Sequence, residues 1–245
     1  MPSKRFIENE TFFLDYAWTV FQSWFLDRAS FQKKYDSITT SEKKNEFLRL
    51  ASYYLFFVKE GGFSNPKYDV EEIGFVDQTY KFIAIVALIE SMYEESEFID
   101  FYQWLMRNKK TDIFPVKTPE DAGELHRTYK AEYGSTSNII RFFRSLDDSA
   151  KLFMHNSLVM LDASGTPRRA SESEDSIDVL SKLLYQIRSD FMHRAVLVLE
   201  FDDSAVYSIR DKKPIESLMK LEHLLLLFES GLLKHFGITP DTKRI

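Results

Sequence analysis

Cysteine is absent from the 245-residue chain. Disulfides and thiolate metal sites are therefore excluded, and a reducing compartment is compatible with the composition. Glycine and proline are scarce, at 8 and 7 residues, which favours long helices over a turn-rich sheet protein. A basic excess is also lacking. Lys and Arg total 32 against 38 Asp and Glu, a formal charge of −6; this argues against a broad, non-specific nucleic-acid surface and leaves room for a small local site. The longest strongly apolar runs, Phe82 to Ile89 and Leu224 to Phe228, fall far short of the roughly 20 residues that span a bilayer. The opening MPSKRFIENETFF has no apolar core before Glu8 and Glu10, so no secretory leader is expected and a cytoplasmic protein without membrane association is. There is no glycine-rich phosphate loop, nucleophile elbow or helical pair of metal-binding histidines, and neither metal nor cofactor is expected.

What is present is aromatic and apolar. Phe alone contributes 22 residues and the hydrophobic fraction is 44%, the profile of a folded chain with one large or two small domains. The pattern predicts an all-α fold: an N-terminal helical hairpin over 1–75 packed on a main helical body over 76–245, with one small β-hairpin near 196–210. The first helix is expected over Glu8 to Lys34, and the second from Ser41 to the stop at Gly61-Gly62. A third, apolar on every side between Phe82 and Ile89, starts at Val76 and is expected to be central. A short helix follows over Glu97 to Arg107. Thr118-Pro119 opens another that reaches Tyr133, and Ser135 to Leu161 form a long helical stretch with a break near Asp147-Asp148. Asp162 to Ser173 reads as a linker, VLVLEF and AVYSIR as the arms of the hairpin, and Lys213-Pro214 as the start of the last helix.

The chemistry concentrates on the helix that contains LLYQIRSDFMHR. Leu180, Leu183, Leu184, Ile187 and Phe191 recur at three-and-four spacing and form its buried stripe. Arg188, Ser189 and His193 interrupt the other side. A permanent cation beside a group that exchanges protons near neutral pH suits work on a phosphodiester. His126, His155, His223 and His235 are scattered singly and read as structural.

YQIRSDFMHRA resembles the signature of the HEPN superfamily, in particular its larger ribonuclease-type (Apea-like) domains. There an arginine, a polar residue, a short spacer and a histidine lie on a late helix. FIAIVALIESMY resembles the earlier core helix of the larger members, with its apolar-apolar-Glu-apolar pattern. The similarity spans roughly Val76 to Gly237 and leaves the N-terminal hairpin uncovered. Ser189 stands where Asn or another strongly polar residue is commoner, and Arg194 where a glycine often follows the histidine.

The resemblance implies a helical bundle that forms a homodimer through the motif-bearing helix, so that two copies of the motif face each other. It implies metal-independent RNA cleavage in some members and pure binding in others, in toxin–antitoxin or phage-defence settings where a cognate antitoxin is a partner. Carried onto this chain, His193 is the general base or acid, Arg188 holds the scissile phosphate, and Ser189 orients either group. Glu90, Asp190 and Tyr185 are supporting candidates.

Two readings remain open at this point. On a straight helix, residues five apart point about 140° away from each other and lie about 7.5 Å apart along the axis, so one copy does not assemble Arg188 and His193 by itself. Ser189 and His193, four apart, share a face. The second reading pairs Arg188 structurally with a carboxylate such as Glu90 and leaves a non-catalytic helical interaction or ligand-binding domain.

Overall fold

The computed structural model describes residues 10–64, 67, 70–93, 101–108, 116–133, 135–161, 167–169, 174–194, 205–208, 214–242 and 244. The body of the chain is helical, as the composition implies. The N-terminal part holds α1 (Glu10–Phe21), α2 (Arg28–Asp36) and α3 (Ser41–Tyr54), then a wide π turn over Leu55–Lys59. The main body follows with α4 (Val70–Met92), α5 (Phe101–Asn108), α6 (Pro119–Tyr133), α7 (Ser135–Ser145), α8 (Asp148–Asn156), α9 (Glu174–Arg194) and α10 (Leu221–His235). Among the described residues no helix is long and apolar enough to cross a membrane.

Four of the expected boundaries move, each for a local reason. The single helix expected over Glu8 to Lys34 is two. A 3₁₀ turn at Gln22–Trp24 and an extended Phe25 break it, and Asp27 restarts the helix by accepting the Ser30 N–H at 2.7 Å. The helix expected from Val76 begins at Val70, more than one and a half turns earlier, and runs through Gly74. The long stretch from Ser135 to Leu161 breaks where expected, at Asp147, which caps α8 through the Ala150 N–H at 2.8 Å. Its end is not helical at all, because Leu158–Leu161 form strand β1. The last helix starts at Leu221 instead of Pro214, since Pro214–Ser217 are strand β4.

Among the described residues the strands form one small antiparallel sheet. β1, β2 (Pro167–Arg169), β3 (Ala205–Ser208) and β4 lie in the order β2-β1-β4-β3. The expected hairpin is therefore corrected in part. Its second arm is β3, but β3 pairs forward with β4, Ala205 opposite Ser217 and Ser208 opposite Pro214. The first arm, VLVLEF, and the connecting Asp202-Asp203-Ser204 lie outside the described residues, as do most of the linker positions. Proline is tolerated in the inner strand β4 because it is the first residue, where the missing N–H breaks no interior rung.

One core joins the N-terminal helices to the rest. Phe21 stacks on Phe47 at 5.7 Å, Phe47 meets Phe236 edge-on at 5.4 Å, and Tyr54 lies 4.8 Å from Phe228, which stacks on Phe142 at 6.2 Å. α4 supplies the buried Phe82, Ile85, Val86, Leu88 and Ile89. Removing this much apolar surface from water is the main stabilising contribution, at about 25 cal/mol per Å². The same packing fixes the faces from which α4 and α9 meet.

Candidate functional site on helices α4 and α9

Helix α9 buries the stripe that its spacing predicts: Leu180, Leu183, Leu184 and Ile187 are all buried, and Phe191 is half-buried. A two-pronged ion pair pins its first half to α7. The Arg144 guanidinium donates to both Asp178 oxygens at 2.8 Å, through Nε and Nη2. With one face sunk and one end clamped, the polar residues of the last two turns are held in fixed positions at the edge of the bundle.

There, Arg188 Nη2 donates to Glu90 Oε2 at 3.0 Å, and the two side chains are only 22% and 13% exposed. Glu90 lies in the last turn of α4, where the backbone carbonyls concentrate partial negative charge and a carboxylate is disfavoured. The Arg188 cation offsets that, and the pair is shielded enough for its attraction to exceed that of a surface bridge. Arg188 and Glu90, 98 residues apart in sequence, are thus brought together.

The other motif residues are differently placed. Ser189 and Asp190 are half-buried, and His193 is exposed in the final turn. Asp190 pairs along the helix with Arg194 at 3.5 Å. Tyr185 packs half-buried against the core. Among the described residues no hydrogen bond or ion pair joins Arg188 to His193, as expected for residues on diverging sides of one helix. Beside them runs an aromatic ledge. Phe63 and Tyr80, both about half exposed, stack at 4.4 Å, Tyr80 meets Phe191 edge-on at 6.4 Å, and Met192 is open to solvent.

Two of the remaining histidines, His223 and His235, sit in packing roles. The His223 ring lies 4.9 Å from Phe153 and its Nδ1 accepts the Lys220 N–H at 3.3 Å, starting α10. His235 is wedged between Tyr93 and Phe236, and burial pushes its pKa below the ordinary value. His126 is exposed on α6 and His155 half-buried on α8. Among the described residues, no three His, Asp or Glu side chains converge in a metal-holding group.

One polar constellation escaped the sequence reading. Glu229, 1% exposed in the middle of α10, accepts the Trp24 indole N–H at 2.7 Å, the Tyr54 hydroxyl at 2.9 Å and the Lys59 ammonium at 2.8 Å. Its signal was a carboxylate inside LLLLFESGLL, next to the stripe residue Phe228. The three donors come from the 3₁₀ turn, α3 and the π turn, so a single carboxylate ties the N-terminal part to α10.

Burial first, and then the neighbouring Glu229 charge, hold the Tyr54 hydroxyl well above its ordinary value of 10.0. The folded state therefore keeps a proton that the unfolded chain releases from about pH 10 upward, and stability falls with rising pH in that window. Urea midpoints between pH 9 and 11 are expected to decline in the natural chain and to decline less steeply in Tyr54→Phe. Parallel slopes would mean that Tyr54 does not carry the effect.

Compared with the models of known protein families, with curated protein sequences and with solved structures, the chain matches none.

Proposed function

We propose that the chain is a metal-independent endoribonuclease of the HEPN type, acting as a homodimer on single-stranded or looped RNA. The observation that supports this reading best is the division of labour at the end of α9. Arg188 is oriented by Glu90 at 3.0 Å, while His193 stands exposed where a substrate can reach it. A guanidinium held in one orientation loses little freedom on gripping a phosphate. An imidazole open to solvent can take and return a proton.

In the proposed reaction His193 removes the proton from a ribose 2′-hydroxyl. The 2′-oxygen bonds to phosphorus, the bond from phosphorus to the 5′-oxygen breaks, and an acid, His193 of the second copy, protonates the leaving oxygen. Arg188 stabilises the charge that builds on the phosphate oxygens. The products carry a 2′,3′-cyclic phosphate and a 5′-hydroxyl. A second copy supplies what the diverging directions of Arg188 and His193 deny to one, and Ser189, on the face of His193, steadies the imidazole. A cognate antitoxin would act by covering this end of α9.

A second reading follows from the same ion pair. If Arg188 serves only to neutralise Glu90 at the end of α4, the domain is a non-catalytic helical interaction module. Cleavage of a labelled single-stranded RNA in EDTA separates the two. The nuclease reading expects His193→Ala and Arg188→Ala each to lower the rate at least about a hundredfold, with cyclic-phosphate ends on the natural chain's products. Equal residual activity in all three proteins removes the nuclease reading. In that case Arg188→Ala retains only a loss of stability.

A further inference from the structure

A concave site that shares no residue with the α4–α9 site lies beside the end of α10. After α10 the chain turns back at Gly237, whose φ is +71°. It is then laced across the 3₁₀ turn. The Asp241 and Thr242 N–H groups both donate to the Trp24 carbonyl, at 3.0 and 3.2 Å. The Thr242 hydroxyl donates to the Ser23 carbonyl at 3.1 Å, and Arg244 Nη1 to the Ser23 hydroxyl at 2.7 Å. Between this strap, the end of α10 and the start of α8 is a pocket of about 280 Å³.

The lining is specific in kind. Trp24 and Ile238, both 2% exposed, close its floor, and the half-buried Pro240 adds apolar surface. Lys234, Arg244, Ser230 and Asp147 supply the polar groups. Asp147 already accepts the Ser149 hydroxyl and the Ala150 N–H of its own helix at 2.8 Å, which offsets its charge locally. The end of α10 would ordinarily repel an anion through its free carbonyls. Here the Gly237 and Ile238 N–H groups turn back onto the Lys234 and Leu233 carbonyls at 3.0 and 2.9 Å and satisfy them. Two cations thus face a small, partly apolar space in which the competing negative charges are engaged.

We infer that this pocket binds a small organic anion with a flat apolar body. Lys234 and Arg244 take the anionic group, and the apolar side of Pro240, next to the floor formed by Trp24 and Ile238, takes the body. The volume of about 280 Å³ lies just below the roughly 300–1,000 Å³ found for ligand pockets, which fits a metabolite of one ring and excludes a dinucleotide. The reading stands apart from the proposed RNA chemistry and survives its failure.

The Trp24 indole N–H, held by Glu229, gives a direct reporter, with Trp18 and Trp104 as internal controls. Titration with benzoate is expected to move the Trp24 indole resonance in a proton–nitrogen correlation spectrum saturably, with a Kd on the order of 1 mM, while the other two stay in place. Lys234→Gln and Arg244→Gln, both at exposed positions, are expected to weaken binding at least about tenfold each, and neutral benzyl alcohol to leave the resonance unmoved. The inference is overturned by a non-saturable response to benzoate, by unchanged affinity in both variants, or by an equal response to benzyl alcohol.

Discussion

Replacing Glu229 with alanine is expected to destabilise the fold by about 4 kcal/mol and to lower the melting temperature by roughly 10 °C. The carboxylate is buried and receives three donors, from Trp24, Tyr54 and Lys59. Removing one partner of a buried pair costs about 3–5 kcal/mol, because the other group is left without compensation. Lys59 itself is 34% exposed and regains water, so the lower part of that range applies to it. The Trp24 indole and the Tyr54 hydroxyl, 2% and 0% exposed, cannot do so. Each buried donor deprived of its acceptor costs about 1–3 kcal/mol, and the terms do not simply add.

Two further variants separate charge from hydrogen bonding. Glu229→Gln keeps an acceptor for Trp24 or Tyr54 and is expected to fall between alanine and the natural chain. Lys59→Met removes the charge partner at the rim and is expected to cost less than Glu229→Ala. Urea denaturation of all three provides the measurement. A Glu229→Ala protein within about 1 kcal/mol of the natural chain would show that water replaces the lost contacts.

The network also marks where reading the sequence reaches its limit. Periodicity is local, and what it reveals is local: the buried stripe of α9, the apolar run of α4, and the start of α6 at Thr118, whose hydroxyl accepts the Asp121 N–H at 3.2 Å. The partners of Glu229 lie 205, 175 and 170 residues away, and no spacing rule connects them. Glu90 and Arg188 were legible as partners for a narrower reason: a carboxylate directly after the apolar run Phe82–Ile89, near the end of a helix, is stabilised by a cation. Strands β1, β2 and β4 went unread for a third. LVML over Leu158–Leu161 follows helix-forming residues and is too short for its period to show; it is a strand because β4, more than fifty residues later, hydrogen-bonds to it. The break at Phe25 was hidden by the apolar residues on either side of it, which continue a helical stripe up to Trp24 and resume it at Phe31.

Of the candidate site, the placement of Arg188 and His193 on one late helix, on diverging sides, follows from spacing alone. Their relation to the Phe63–Tyr80 ledge does not, because it depends on how α4 crosses α9.

Glycine at position 231 is a steric requirement, and Gly231→Val is expected to cost about 3 kcal/mol by overpacking. A Cβ built there meets Phe142 Cζ at 2.3 Å and Cε2 at 2.5 Å, and Leu146 Cδ2 at 3.1 Å. Phe142 is 0% exposed and Leu146 1%, so the ring has no solvent into which to swing. The absent side chain lets α10 approach α7 closely enough for Phe228 to stack on Phe142. Gly231→Ala gains about 1 kcal/mol of helix propensity, because glycine is a poor interior helix residue, and still meets the ring; its expected net cost is about 1–2 kcal/mol. The test of the cause is the pair. Phe142→Leu withdraws the ring and leaves a cavity, and alone it is expected to destabilise. Combined with Gly231→Ala, the new methyl occupies part of that space, so the double variant is expected to be more stable than the two separate costs would give, by about 1 kcal/mol. Additivity within about 0.3 kcal/mol would mean that the α7–α10 contact does not set the requirement for glycine.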